Sequence, residues 1–311
     1  MRATTTSLCL VWAALGGCAA ATGRSPDPGQ GGNGGRGGGD MGGGGMSDLA
    51  WPSVDAGQAD CDESAKLVYL LDADGSLWSF KPNQMDITQS KLTMIGPLSC
   101  ATAMQPNSMS VDRSGTAWVE YVPTDESDTT HDQLFKVNVT TGACTGTSYV
   151  TGAFGTRFGM GFVADAPMST AESLFVAKGD PPYAFGKFDL SALTIAMLGT
   201  PNGGPELSGT GDAKLWAFFP DASMPRVSQL DKTNGAEGMS YPVAAAAGTN
   251  DGYAFAFWGG DFWVFLKKDT DTYTVLYHVR ASDGAVTTFT LTGRWIVGAG
   301  VSTCAPTTPI G

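Results

Sequence analysis

The sequence predicts an all-β fold, a β-propeller most simply built with five blades, on three observations. A turn followed by an aromatic-bearing strand recurs at residues 72–78, 112–118, 172–175, 211–216 and 259–263, with the aromatic at Trp78, Trp118, Phe175, Trp216 and Trp263. A second strand follows in step, at 78–83, 134–138, 185–189, 227–231 and 276–280. Strands of small and apolar residues stand at 109–111, 159–163, 207–211, 254–257 and 297–301, where they suit the crowded innermost positions of a propeller. The aromatics are spaced by 40, 57, 41 and 47 residues, a super-period typical of propeller blades. A β-sandwich would instead show strands at an even spacing of about 8–12 residues, and no twelve-residue window free of Gly or Pro carries a helical apolar stripe. The last small-residue strand belongs to no complete copy, and the first copy lacks one before it. The two termini are therefore expected to complete one blade together, which removes the open edge.

Read in order, residues 1–17 carry one early charge, Arg2, and a short apolar run. That run is too short to span about 30 Å of hydrocarbon as a helix and reads as a signal peptide. Leu15-Gly16-Gly17-Cys18 resembles the bacterial lipobox, which implies lipidation at Cys18; an ordinary secretory signal with an incidental cysteine is the alternative. Ala19 after the cysteine, by the best-studied sorting rule, implies the outer membrane. Residues 18–60 hold Cys18 and a Gly-rich segment with almost nothing to bury, expected to be a flexible tether spanning about 35–40 Å as a coil. Residues 61–305 are expected to form the propeller and 306–311 a short tail.

Four cysteines remain in the predicted domain: Cys61, Cys100, Cys144 and Cys304. Blade closure brings the first and last together, so the expected disulfides are Cys61–Cys304 and Cys100–Cys144. A four-cysteine zinc site is the alternative, but it lacks the usual Cys-x-x-Cys spacing.

Charge and motifs narrow the function classes. A net charge of −12, without a basic cluster, argues against nucleic acid, whose phosphates are bound by grouped Lys and Arg. The glycines at 159 and 161 match a dinucleotide fingerprint loosely, but no helix follows, so they read as an inner strand. The Asp72-x-Asp74-Gly75 start of a calcium loop has Asn83 where Glu is needed and reads as a hairpin turn. His131 and His278 are too few for a three-histidine metal site. Asn138-Val139-Thr140 fits a glycosylation sequon but reads as a turn. No metal, cofactor or catalytic constellation is implied.

Propeller ligands usually bind where the loops that lead into the inner strands converge. In this register those loops carry Asn107, Arg157, Glu206, Asp251 and Arg294, with Phe158, Tyr253 and Trp295 beside them. Opposed charges around one opening could recognise a polar ligand or peptide, or merely solvate the opening. Lipobox, tether and repeats together resemble the Gly-rich-tethered lipoproteins with β-propeller domains found in some large-genome Gram-negative bacteria. That resemblance implies a membrane-anchored, non-catalytic binding or scaffold module facing the periplasm or the cell surface, with an unknown protein, peptide or glycan partner. The alternatives are a glycan-processing enzyme using Glu206 and Asp251 as its carboxylate pair and a structural surface protein.

Overall fold

The computed structural model describes residues 61–310 apart from Ala101 and Glu126. The expected signal peptide, the lipid site Cys18 and the tether lie outside the described residues. Among the described residues, twenty strands form five antiparallel four-stranded sheets. The first three strands are β1 (Val68–Asp72), β2 (Ser76–Lys81) and β3 (Lys91–Pro97). Blade 2 is β4 (Gln105–Val111), β5 (Thr116–Val122), β6 (Gln133–Asn138) and β7 (Cys144–Gly146). Blade 3 is β8 (Phe158–Ala164), β9 (Glu172–Lys178), β10 (Phe185–Asp189) and β11 (Thr194–Gly199). Blade 4 is β12 (Glu206–Gly209), β13 (Leu215–Phe219), β14 (Arg226–Leu230) and β15 (Glu237–Pro242). Blade 5 is β16 (Asn250–Trp258), β17 (Asp261–Lys268), β18 (Val275–Val279) and β19 (Val286–Thr290). The last strand, β20 (Ile296–Gly300), returns to pair with β1, so blade 1 runs β20-β1-β2-β3. The five-bladed propeller and its closure by the two terminal strands are thus as expected.

Turn chemistry explains the hairpins. In the β4–β5 turn, Gly115 donates its N–H to the Asp112 carbonyl at 3.1 Å, while the Asp112 carboxylate accepts the N–H groups of Ser114 and Thr116. Gly115 has φ of +75°, a left-handed conformation that a side chain disfavours.

The same chemistry misplaces one aromatic. Trp118, Phe175, Trp216 and Trp263 stand on the second strands of their blades, opposite Ser110, Gly161, Ser208 and Ala256 of the inner strands. The matching place in blade 1, opposite Ala299, is held by Leu70. Trp78 stands one strand further out, on β2. The turn at 72–75 closes the hairpin between the second and third strands, whereas that at 112–115 closes the one between the first and second. An Asp-x-x-Gly turn fits any antiparallel pair, so turn plus tryptophan does not reveal which pair it joins.

The inner strands β20, β4, β8, β12 and β16 pack on one another around the ring. Their small residues permit that approach: a Cβ on Gly209 would stand 2.2 Å from the Phe162 carbonyl oxygen. Hydroxyls bridge the strands laterally, with Phe162 N–H donating to Ser110 Oγ at 3.0 Å and Phe257 N–H to Ser208 Oγ at 2.9 Å. Every residue of β8 and β12 is buried. Gly209→Ala is expected to cost about 2–3 kcal/mol by overpacking, read from urea denaturation. Gly238→Ala is the control, because a Cβ there would meet only the Gln229 carbonyl oxygen, at 3.5 Å, and it should change stability by less than about 1 kcal/mol.

Apolar seams hold the blades together. Between blades 4 and 5 Trp216, Phe255, Phe257 and Phe262 share one cluster. Between blades 2 and 3 Trp118, Phe158, Phe162 and Phe188 share another. Between blades 5 and 1, Phe80 sits edge-on to Trp263 and Phe265. In that seam Trp263 stacks on His278 at 4.2 Å, and His278 Nε2 lies 2.8 Å from Asp261 Oδ2, so this histidine is a packed core residue. His131 is exposed in a loop beside Asp128.

Candidate functional site

The residues that lead into the inner strands lie at one end of the ring, and their side chains sort by partner into separate groups. Asn107 Nδ2 donates to Glu120 Oε2 at 2.7 Å. Arg157 takes a left-handed backbone, φ +57°, which turns its N–H onto Glu120 Oε1 at 3.0 Å. Its guanidinium donates to the carbonyls of Asp128 and Pro123, both at 3.2 Å. Phe158, wholly buried, donates its N–H to Glu120 Oε2 at 3.1 Å. Asn107, Arg157 and Phe158 are therefore brought together, around a carboxyl group on β5.

Glu120 was not singled out by sequence reasoning, nor were its neighbours Asp132 and Tyr149. The signal for Glu120 was there, as the lone acid in the apolar strand Thr116–Val122. Asp132 and Tyr149 lie in loops and carry no pattern. Burial, then the charge of Asp132, pushes the Glu120 carboxyl well above the usual carboxylate range, and burial raises Asp132 as well. Asp132 accepts the Thr151 hydroxyl through Oδ1, while its buried Oδ2 meets no N–H or hydroxyl donor. A proton held on Glu120 and shared with Asp132 satisfies both groups and leaves one charge instead of two. The buried Tyr149 hydroxyl has no hydrogen-bond partner, and its pKa is raised by burial and then by the charges of Asp132 and Glu120.

Glu206 begins β12 and is 5 % exposed. Burial pushes its carboxyl up to about 8, against which the hydrogen-bonding environment of Ser108, Leu207 and Met160 is a smaller opposing influence. Room for it comes from Gly159, where a Cβ would stand 2.8 Å from Glu206 Oε2. Tyr253 donates its hydroxyl to the Gly204 carbonyl at 3.0 Å. Asp251 is exposed and forms an ion pair with Lys267. The Lys267 ammonium also lies 5.0 Å from the ring centre of Trp295, which is 41 % exposed. Asp251 and Trp295 are thus brought together through Lys267.

Arg294 faces a different place. Its guanidinium stacks over the Trp78 ring at 3.9 Å, and both residues line a cavity of about 310 Å³ between the outer parts of blades 5 and 1. The eight residues expected at one opening therefore divide between the Glu120 cluster, the Glu206 burial site, the Tyr253 bond to Gly204, the Lys267 pair and this inter-blade cleft. Among the described residues no three His, Cys, Asp or Glu side chains gather in a way that could hold a metal ion. No described helix is long and apolar enough to cross a membrane.

The sheet order defines the class as a β-propeller of five four-stranded blades. No protein-family model and no curated protein matches the chain. Similar solved structures include TolB from Acinetobacter baumannii, at 14 % identity over 72 % of this chain and 52 % of that one, TM-score 0.41. A luciferin-regenerating enzyme is similar at 11 % identity over 74 % of this chain and 92 % of that one, TM-score 0.43. The calcium-binding protein regucalcin from Agrobacterium tumefaciens is similar at 12 % identity over 74 % and 76 %, TM-score 0.39. The chain spans about half the length of the TolB it matches. These likenesses concern fold and carry nothing about ligand or chemistry.

Proposed function

We propose that the chain is a non-catalytic binding or scaffold module, held at the bacterial outer membrane by a lipid on Cys18 and displayed on its Gly-rich tether. The observation that carries the non-catalytic part is the state of the two carboxylates a glycan-processing enzyme would need. Asp251 is exposed and committed to Lys267, while Glu206 is buried among inner strands, 5 % exposed. A glycosidase pair must flank one bond at about 5–9.5 Å from each other, with one carboxylate ionised. The separate partner of Asp251 and the burial of Glu206 favour the non-catalytic reading. The partner is a protein, peptide or glycan of the envelope; nucleic acid is disfavoured by the net charge of −12.

The test has two arms. In cells, the wild-type chain should fractionate with membranes and Cys18→Ser should move most of it to the soluble fraction; an unchanged distribution would remove the lipid anchor. In solution, the purified chain should release no product from a panel of chromogenic glycosides. Turnover that Glu206→Gln or Asp251→Asn abolishes would replace this reading with the enzymatic one.

A further inference from the structure

We infer that the cleft between blades 5 and 1 is a binding site for a small amphiphile, an apolar chain or ring that ends in one carboxylate. The inference rests on the binding-module reading and gives that module a ligand class. At other seams aromatic side chains pack closely, as Trp216 does against Phe262 with ring centres 4.7 Å apart and Trp118 against Phe188 at 6.4 Å. Between blades 5 and 1 the inner part of the seam is filled in the same way, but the outer part is left open as a cavity of about 310 Å³. That is the lower end of the range for small-molecule sites, roughly 300–1,000 Å³.

Its walls are mixed: Phe80 and Leu92 from blade 1 and Leu276, Phe289 and Leu291 from blade 5 supply an apolar part, beside the polar Ser90, Thr290 and Thr292. Phe289 is 37 % exposed, so a large apolar ring is left facing water at the lip. The apolar part favours a hydrocarbon body by the area it removes from water.

The polar end is set by Arg294 and Trp78. Trp78 Nε1 and Arg294 Nε are both buried without an acceptor. Arg294 has no carboxylate within ion-pair distance among the described residues, and Asp72 acts on it only as a charge at longer range; the one hydrogen bond of its side chain goes to the Gly293 carbonyl, at 2.9 Å. A guanidinium that lines the cleft, with no carboxylate in ion-pair contact, favours a ligand with a negatively charged acceptor, since a charge-assisted bond is the strong kind. Elsewhere the chain is strongly acidic, with a net charge of −12, so a single anionic head is selected locally and against the general field. Neutral amphiphiles lack the group the donors need, and a bare anion lacks the body the walls need.

The experiment uses the full chain carrying Cys18→Ser, labelled with nitrogen-15, and octanoate as the probe. The indole N–H signal of Trp78 is assigned by its loss in Trp78→Phe and followed as octanoate is added. Octanoate should shift that signal saturably. Arg294→Gln should weaken binding at least about tenfold, the scale of a lost charge-assisted bond. Octan-1-ol should bind at least about tenfold more weakly than octanoate for the same reason. Leu92→Trp, which fills the cleft, should abolish the shift. Because that variant could also disturb folding, its melting is checked, and Arg294→Gln carries the test independently. The proposal is overturned if octanoate leaves Trp78 unmoved, if octan-1-ol binds as tightly, if inorganic phosphate alone binds as well, or if Arg294→Gln changes nothing. If octanoate does not bind while the wild-type chain still fractionates with membranes and turns over no glycoside, the cleft proposal fails and the binding-module reading stands.

Discussion

Glu206→Gln is expected to stabilise the protein at pH 8 by several kcal/mol while changing it little at pH 5. Glu206 has an ordinary value of 4.5 and is raised to about 8 in the folded chain, mainly by burial. A carboxyl whose folded value is raised lends its stability in full below the unfolded value and loses it as pH rises through the folded value. Between about pH 4.5 and 8 the loss from this one group is on the order of 4–5 kcal/mol, at about 1.4 kcal/mol for each pKa unit. Glu120 and Asp132 are raised too, so they push in the same direction. Half-buried surface aspartates such as Asp128, held low chiefly by the Thr130 N–H, act the other way and only at lower pH. Stability of the wild-type chain should therefore be greatest in mild acid and fall towards pH 8. A glutamine keeps the acceptor for the Leu207 N–H, now 3.3 Å from Glu206 Oε2, and cannot ionise, so its curve should be flatter. Urea denaturation at pH 5 and pH 8 decides the matter. A variant destabilised equally at both would mean that Glu206 ionises freely in the fold.

What could be read from the sequence, and what could not, follows from the range of the interactions involved. Blade number and closure rest on local turn chemistry and on small residues in the inner strands, and both repeat, so five copies reinforce one another. The register of a single copy has no such support, and Trp78 was displaced by one strand because its turn suits either hairpin. The positions that lead into each inner strand could be located, but not where their side chains point. Arg157 turns inward through a left-handed backbone that a non-glycine residue rarely adopts, and Arg294 finds an aromatic face on β2, more than two hundred positions earlier in the chain. Glu120 and Asp132 become a pair only when a loop folds over the end of blade 2. The cleft is a gap in packing between blades 5 and 1, and gaps between distant segments leave no periodic trace.

The two disulfides agree with the expected pairing, and they should stabilise the ring in different places. Cys61 and Cys304 are joined across a sequence separation of 243, with Cα atoms 5.8 Å apart; Cys100 and Cys144 across 44, with Cα atoms 5.2 Å apart. By loop entropy, removal of the first by Cys61→Ala with Cys304→Ala should cost about 5 kcal/mol and removal of the second by Cys100→Ala with Cys144→Ala about 4 kcal/mol. The sharper expectation concerns location. The first bridge ties the segments that flank the only strand pair closing the ring among the described residues, β20 on β1. Without it, β20 is held by its ladder, the inner-strand packing and flanking hydrogen bonds such as Ser302 Oγ to the Ala65 carbonyl, and opening there exposes the edge of β1. The second ties the segment after β3 to β7, so its loss loosens the outer part of the seam between blades 1 and 2 and leaves closure intact. Hydrogen exchange at the paired residues Leu70, Leu71, Gly298 and Ala299 should therefore quicken selectively in the first double variant, ahead of the exchange at β16 and β17. Both variants should lose stability to guanidinium. Equal protection of β1 and β20 in the two variants would mean that closure is secured by the strand ladder and inner packing, and that the 61–304 bridge acts on the unfolded chain alone.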